Sequence, residues 1–256
     1  MSGVPDARRR LTGRLDEALM TTTSIPRPPA DLLPRLRSVP DVSSAVADAL
    51  DELGVGGCVP TDRLRPLDPD LVVVGQVVTL RYRRLDGDVS TNRQAGRGRV
   101  FGDRDLYGLG RPGDVAVMDC GGSTDAAVVG ALSAKWAVKA GIAGCLVNGP
   151  VRDTASIMQV RLPVWSAGSV PRAARYRLEV AELNGPVDLA GVTVRPGDVV
   201  AADRDGVAVI PFAAVAEVVE FCERAHREEE RLIAVIDAAE TLEGLVAHTA
   251  GGSTPA

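Results

Sequence analysis

Ala143-Gly144-Cys145-Leu146-Val147-Asn148-Gly149-Pro150-Val151-Arg152-Asp153-Thr154 carries the densest information in this 256-residue chain. Ala143 to Val147 is a short run of small and branched apolar residues, the pattern of a strand buried on both faces. Asn148-Gly149-Pro150 interrupts it, and Asp153 or Thr154 then offers a side chain to cap a short helix. Arg152 and Asp153 stand at that handover from strand to helix. A guanidinium there can grip a carboxylate or keto oxygen as a fork. A carboxylate there can hold a hard divalent ion that keeps most of its waters. The same spacing also suits a helix-capping Asp153 beside a surface arginine.

Upstream of this stretch, Asp114 to Cys120 reads as another strand, and Gly121-Gly122 as a tight turn leading to a helix that stops at Gly141. Asp119-Cys120-Gly121-Gly122-Ser123 therefore runs toward Gly130-Ala131-Leu132-Ser133, where the free N–H groups of a helix start form a site for an anion. Further out, Leu71 to Tyr82 predicts a strand. Ser43 or Ser44 is placed to cap a helix through Val46, Ala49, Leu50 and Leu53 that ends at Gly54. From 163 to 211 the pattern is of several strands joined by turns, among them Asp203-Arg204-Asp205-Gly206. That turn lacks the remaining ligands of a calcium loop and reads as a hairpin. A last long helix, 212 to 238, carries the charge run Glu228-Glu229-Glu230-Arg231. Strands and helices mixed in this way predict one α/β domain with a β-rich second half.

The edges differ from the middle. Residues 1–30 read as an N-terminal extension and linker, with a short amphipathic helix through Leu11, Leu15 and Leu19 before a proline-rich run. The domain proper spans 31–245, and 246–256 reads as a disordered tail. Inside the domain, Arg81 to Gly113 holds eight arginines, four aspartates and seven glycines with almost no periodicity. It reads as a long basic loop, either a solvated insertion or a cationic flap over an anionic ligand.

Composition removes several chemistries. Only two histidines, His226 and His248, and two lysines, Lys135 and Lys139, are present, which leaves little material for a histidine triad, a multi-histidine metal site or a Schiff base. Lys135, one turn into its helix, reads as a surface lysine. The net charge of −5 and the 3% aromatic content give no general attraction to nucleic acid and no stacking platform. Gly108-x-Gly110-x-x-Gly113 is not a dinucleotide fingerprint, because a strand follows it where a helix should. The four cysteines, Cys58, Cys120, Cys145 and Cys222, form no metal-binding spacing and read as buried free thiols. No run of about 18 apolar residues spans a membrane, and no apolar core follows Arg8-Arg9-Arg10 as in a signal peptide. A cytoplasmic protein is expected.

The motifs fall in a recognisable order: Gly113-Asp114-Val115, Asp119, Gly121-Gly122, Gly130-x-Leu132, then Val147-Asn148-Gly149-x-Val151-Arg152-Asp153. Ser43 to Leu50, Pro163-Val164-Trp165-Ser166 with Pro171-Arg172, and Val192 to Val207 extend the match. Over roughly residues 33 to 240, leaving out the extension and most of the basic loop, the chain resembles the RraA-like family. That family holds the class II 4-hydroxy-4-methyl-2-oxoglutarate aldolases and the regulators of ribonuclease activity. The resemblance implies an αββα sandwich, a homotrimer or a hexamer, and an active site in a cleft between subunits. In its aldolases the Asp of the Arg-Asp pair holds magnesium or manganese, the Arg binds the pyruvoyl group, and amides of the Gly-x-Leu helix start receive its carboxylate. Carried over, these roles fall on Asp153, Arg152, and Gly130, Leu132 and Ser133. The implied activity is metal-dependent aldol cleavage or decarboxylation of a small oxo acid such as 4-hydroxy-4-methyl-2-oxoglutarate or oxaloacetate. The family's second acid, which orders the metal's waters, falls on Ala131 and is absent; Asp119 or Asp125 stands near enough in sequence to replace it. An acid from a neighbour's C-terminal helix falls on Glu229 or Glu230, which read equally as a solvated helix face. Arg152 and Asp153 favour an enzyme, whereas Ala131 favours a protein-binding regulator. The basic loop leaves room for a lyase acting on a different, larger anion.

Overall fold

The computed structural model describes the backbone of residues 15–22 and 24–251, and side chains as far as residue 246. Its elements are, in order, α1 (Leu32–Arg37), α2 (Val42–Leu53), β1 (Gly57–Pro60), β2 (Arg65–Pro66), β3 (Val73–Arg84), α3 (Val89–Gln94), α4 (Asp103–Leu109) and β4 (Val115–Asp119). There follow α5 (Ala131–Ala140), β5 (Gly144–Val151), α6 (Thr154–Gln159), β6 (Val164–Ser169), β7 (Leu178–Leu183), β8 (Val187–Leu189) and β9 (Val192–Val194). The chain then runs through β10 (Val199–Ala202), β11 (Gly206–Ile210), α7 (Val215–Ala238) and α8 (Leu242–Gly251).

Strand β3 joins two half-sheets. Val73–Gln76 pair antiparallel with β10, and Val77–Arg81 pair parallel with β4. On one side the antiparallel order runs through β10, β11 and β1. On the other, parallel β4, β5 and β6 end at the antiparallel edge β2, while β7 pairs with the far end of β3. The resulting path β1-β11-β10-β3-β4-β5-β6-β2 is a nearly closed sheet.

Three apolar cores separate four layers. Val77, Val117, Leu146, Trp165, Leu189 and Val200 fill the space between the half-sheets. Leu36, Val46, Leu50 and Val218 lay α1, α2 and α7 on Ala201 and Ala208 of one outer face. Leu106, Tyr107, Ala134 and Ile157 lay α4, α5 and α6 on Met118 and Val147 of the other. Val117 and Leu146 face inward while their neighbours Met118 and Val147 face helices, so both faces are apolar and the strands read as unbroken apolar runs. The architecture is the αββα sandwich the sequence implied, in a single α/β domain.

Several local expectations are corrected. Residues 81–113 are a folded segment, since β3 runs to Arg84, α3 and α4 follow, and Leu106 and Tyr107 are buried. Its periodicity is masked because Asn92, Asp103 and Asp105 are buried polar residues, while Arg81 and Arg83 point outward to Glu182 and Glu179 of β7. Residues 15–30 are no free linker. The Thr21 amide donates to the Leu183 carbonyl (2.9 Å), Gln76 Nε2 to the Pro26 carbonyl (2.6 Å), and Arg27 forks onto Asp114. Polar contacts of this kind leave no apolar pattern to read. The helix expected through Leu11 lies partly outside the described residues, and Glu17–Leu19 form a single 3₁₀ turn capped by Asp16. Within the expected tail, 246–251 continue α8, and 252–256 lie outside the described residues. Helix α2 is not capped by Ser43 or Ser44: Asp203 of the β10–β11 hairpin reaches across and accepts from the Ser43 amide (2.9 Å) and hydroxyl (2.6 Å). Cys120, Cys145 and Cys222 are buried, but Cys58 faces outward from the edge strand β1.

Candidate active site

The end of β5 and the start of α5 are stitched together. Val151 bridges Val129, and the Arg152 amide donates to the Val129 carbonyl (2.9 Å). This places Gly130 directly against the Arg-Asp pair. A methyl group at Gly130 would lie 2.8 Å from Asp153 Oδ2 and 2.9 Å from Arg152 Cγ, closer than real contacts allow. The glycine is needed here for space, since its own backbone is extended (φ −152°).

Asp153 precedes α6 in the left-handed region (φ 55°) and makes no capping bond to that helix. The capping reading of this residue therefore fails. Its Oδ2 accepts from the Ala131 amide and its Oδ1 from Arg152 Nε, both at 3.2 Å, with 39% of the side chain exposed. A carboxylate has about four acceptor positions, so two bonds leave room for a further ligand. Gly130 has no side chain to cap α5, and the N–H groups of Leu132 and Ser133, in the helix's first turn, border the same opening.

These residues line a cleft of about 860 Å³. It brings together Gly130, Ala131, Leu132, Ser133, Arg152 and Asp153. It also brings in groups that the sequence motifs did not mark. Arg99, Phe101, Asp103 and Arg104 come from the basic segment, and Arg175 and Tyr176 from the turn before β7. The density of arginine at 81–113 was a signal for the first group; nothing marked Arg175. Asp103 had no signal either, because an aspartate in the first turn of a helix is ordinary.

Asp103 is 5% exposed, and its Oδ1 has no partner. Burial raises its pKa, against the opposing pull of a Ser133 hydrogen bond and the Arg104 charge. The Ser133 hydroxyl also meets the Tyr107 hydroxyl at 2.9 Å, so this polar cluster backs the start of α5.

The proposed stand-ins for an acid at Ala131 lie elsewhere. Asp125 pairs with Arg84 and Arg172, and Asp119 accepts from the Gly121 amide; neither lines the cleft. Glu229 and Glu230 are exposed on the outer half of α7, also away from this chain's cleft. Lys135 is exposed, as a surface lysine should be. Among the described residues no three acidic, histidine or cysteine side chains gather as a metal cage. The donor set therefore fits only a weakly held, largely hydrated ion on Asp153, the manner in which magnesium is usually bound.

A family model described as Aldolase/RraA, of the RraA-like family, matches residues 43–209. Protein DlpA of Legionella pneumophila is 31% identical over 202 residues, which are 78% of this chain but only 31% of that protein. A protein of Halalkalibacterium halodurans named "Putative 4-hydroxy-4-methyl-2-oxoglutarate aldolase" is 28% identical over 78% of this chain and 86% of its own length. Among solved structures, Streptomyces coelicolor RraAS2, described as an unusual member of the RNase ES inhibitor RraA protein family, superposes with a TM-score of 0.67. It is 27% identical over 81% of this chain and 98% of that one. Fold, motif order and matched residues agree, and the chain belongs to the RraA-like family.

Proposed function

We propose that this protein is a lyase cleaving a C–C bond of a pyruvate-derived oxo acid, such as 4-hydroxy-4-methyl-2-oxoglutarate or oxaloacetate, with Mg2+ or Mn2+ as cofactor. One observation carries the reading: Asp153, which makes no capping bond to its own helix α6, meets Arg152 and the first turn of α5 in a single cleft. The names of aldolase relatives support it.

As the bond beyond the keto group breaks, its electron pair stays on the pyruvate fragment as an enolate. In aldol cleavage, the hydroxyl of the departing fragment gives up its proton to solvent as it becomes a carbonyl. Protonation of the enolate carbon from solvent then gives pyruvate, with that carbonyl compound, or carbon dioxide in decarboxylation, as the other product. Stabilising charge that appears only in the transition state is where such a site gains rate. The Leu132 and Ser133 amides receive the pyruvoyl carboxylate. The Arg152 guanidinium lies against the keto oxygen as it becomes negative. Asp153 would hold the cation, whose Lewis acidity adds to that stabilisation. The absence of a side chain at Gly130 lets Arg152 and Asp153 lie close against the start of α5.

The proposal extends to a homotrimer or hexamer, in which a neighbour's Glu229 or Glu230 reaches the cleft. The exposed apolar residues Leu232, Ile233 and Ile236 on the same half of α7 support this part. A second reading, a protein-binding regulator with a lapsed site, is favoured by Ala131 alone.

Pyruvate release from the two oxo acids, measured with Mg2+ or Mn2+ and then with EDTA, tests the lyase. Activity is expected with metal and its loss on chelation. Turnover that persists in EDTA would refute the metal assignment. An inactive wild type whose Ala131→Asp variant turns over would favour the regulator.

A further inference from the structure

We propose that Arg99, Arg104 and Arg175 form a second anion subsite on the outer wall of the cleft, for a carboxylate or phosphate carried at the substrate end remote from its oxo-acid group. This rests on the lyase reading and adds to it a class of substrate: an oxo acid whose anionic end reaches farther than the second carboxylate of 4-hydroxy-4-methyl-2-oxoglutarate or oxaloacetate.

The wall is built from two segments tied together. The Tyr176 amide donates to the Gly98 carbonyl (2.9 Å), and Asn92 Nδ2 donates to the Tyr176 carbonyl (3.0 Å). Two of the guanidiniums lie over aromatic rings: Arg104 is 4.9 Å from the centre of Trp136, and Arg175 is 5.7 Å from that of Phe101. A guanidinium restrained over a ring loses less freedom when it grips an oxyanion.

Charge pairing sets Arg99 and Arg175 apart. Elsewhere arginines find carboxylates: Arg81 with Glu182, Arg83 with Glu179, and Arg84 and Arg172 with Asp125. Arg99 and Arg175 also line a cleft but make no such pair among the described residues. The cleft's two carboxylates, Asp103 and Asp153, face four arginines, Arg99, Arg104, Arg152 and Arg175, and Asp153 is engaged by Arg152. A chain of net charge −5 thus presents a locally positive wall, which concentrates anions at that spot. Size agrees: about 860 Å³ is toward the upper end of ordinary ligand pockets and is far more than a six-carbon acid fills.

Calorimetric titration in magnesium buffer tests this with three probes: inorganic phosphate, propane-1,2,3-tricarboxylate, and oxalate as a small mimic of the pyruvate enolate. In the Arg99→Ala/Arg175→Ala variant, affinity for phosphate or for the tricarboxylate should fall at least about tenfold, the size expected for lost charge-assisted hydrogen bonds. Oxalate affinity should hold within about twofold, and Arg152→Ala should show the reverse pattern. The arm that weakens identifies the anion as phosphate or carboxylate. The subsite is overturned if neither probe binds the wild type, if the double variant binds both unchanged, or if oxalate weakens equally. Failure of oxalate binding or of pyruvate release strikes the lyase reading instead, and the other two arms still judge the subsite.

Discussion

Asp153 holds a left-handed backbone conformation that costs an L-residue on the order of 1–2 kcal/mol, less for aspartate than for most. It is held there by the close pass of Gly130 and the Ala131 amide, so its carboxylate is fixed beside Arg152 instead of on α6. Asn tolerates the same backbone and can accept the same amide, but it carries no charge. Asp153→Asn should therefore lower kcat for pyruvate release by about 10²-fold or more, while the thermal midpoint stays within a few degrees. An unchanged kcat would remove Asp153 from the chemistry. Asp103 behaves differently because its effect is on stability. Burial raises its pKa, so the folded chain binds this proton more tightly than the unfolded one. The favourable contribution is complete below the unfolded carboxylate pKa of about 4 and is lost as pH rises through the folded value. Asp103→Asn is neutral throughout, so its stability relative to wild type should rise from pH about 4 toward neutrality. Urea midpoints of both proteins at the two ends of that range are the check, and a gap that fails to widen defeats it.

Elements in this fold are joined by single polar residues as much as by apolar faces. The Asp203 carboxylate accepts from the Ser43 amide and hydroxyl and from the Asp205 amide (3.0 Å), while its carbonyl accepts from Trp165 Nε1 (2.9 Å). One turn thus fixes α2, the β10–β11 hairpin and β6. Asp203→Ala removes a buried charged acceptor and a helix cap together, and should cost about 2–3 kcal/mol in chemical denaturation. Asp203 does not line the cleft, so pyruvate release per folded molecule should hold. Such links also explain what was legible. β4 and β5 were readable as short unbroken apolar runs, and α5 by its stop at Gly141. The Asp203 turn was readable as a hairpin, but its grip on α2 lies 160 residues away in sequence and leaves no local trace. The segment 81–113 hid two helices because Asn92, Asp103 and Asp105 are buried where apolar residues would mark the inner face. Gly130, Leu132, Ser133, Arg152 and Asp153 were assigned to one site by the family resemblance, and they lie in one cleft because strand ends and helix starts meet on one side of a parallel sheet. The arginines across the cleft were not, since only folding brings 99–104 beside 175.

Scaled to the whole molecule, the body of the sandwich accounts for only the first half of α7. Val215, Val218, Val219 and Cys222 are buried, and Glu223 pairs with Arg35 of α1 at 2.7 Å. Beyond that ion pair the helix leaves the body. Leu232, Ile233 and Ile236 are 50%, 48% and 54% exposed, and Leu242 and Val246 of α8 are more exposed still. An apolar stripe on a helix that the described residues of its own chain leave exposed is covered, in a stable protein, by another surface. Each half-exposed aliphatic side chain that becomes buried returns roughly 1 kcal/mol. Several copies doing so together reach the scale of a lasting assembly. The wild type should therefore sediment as a multiple of its 26.7 kDa chain. Leu232→Glu with Ile236→Glu should shift it toward the single chain without unfolding it, because neither side chain belongs to the three cores. If Glu229 or Glu230 completes a neighbour's cleft, that dissociation should take pyruvate release with it, and Glu229→Gln or Glu230→Gln should lower turnover while leaving the sedimentation unchanged. A wild type that sediments as one chain at full activity would refute both the assembly and the shared site.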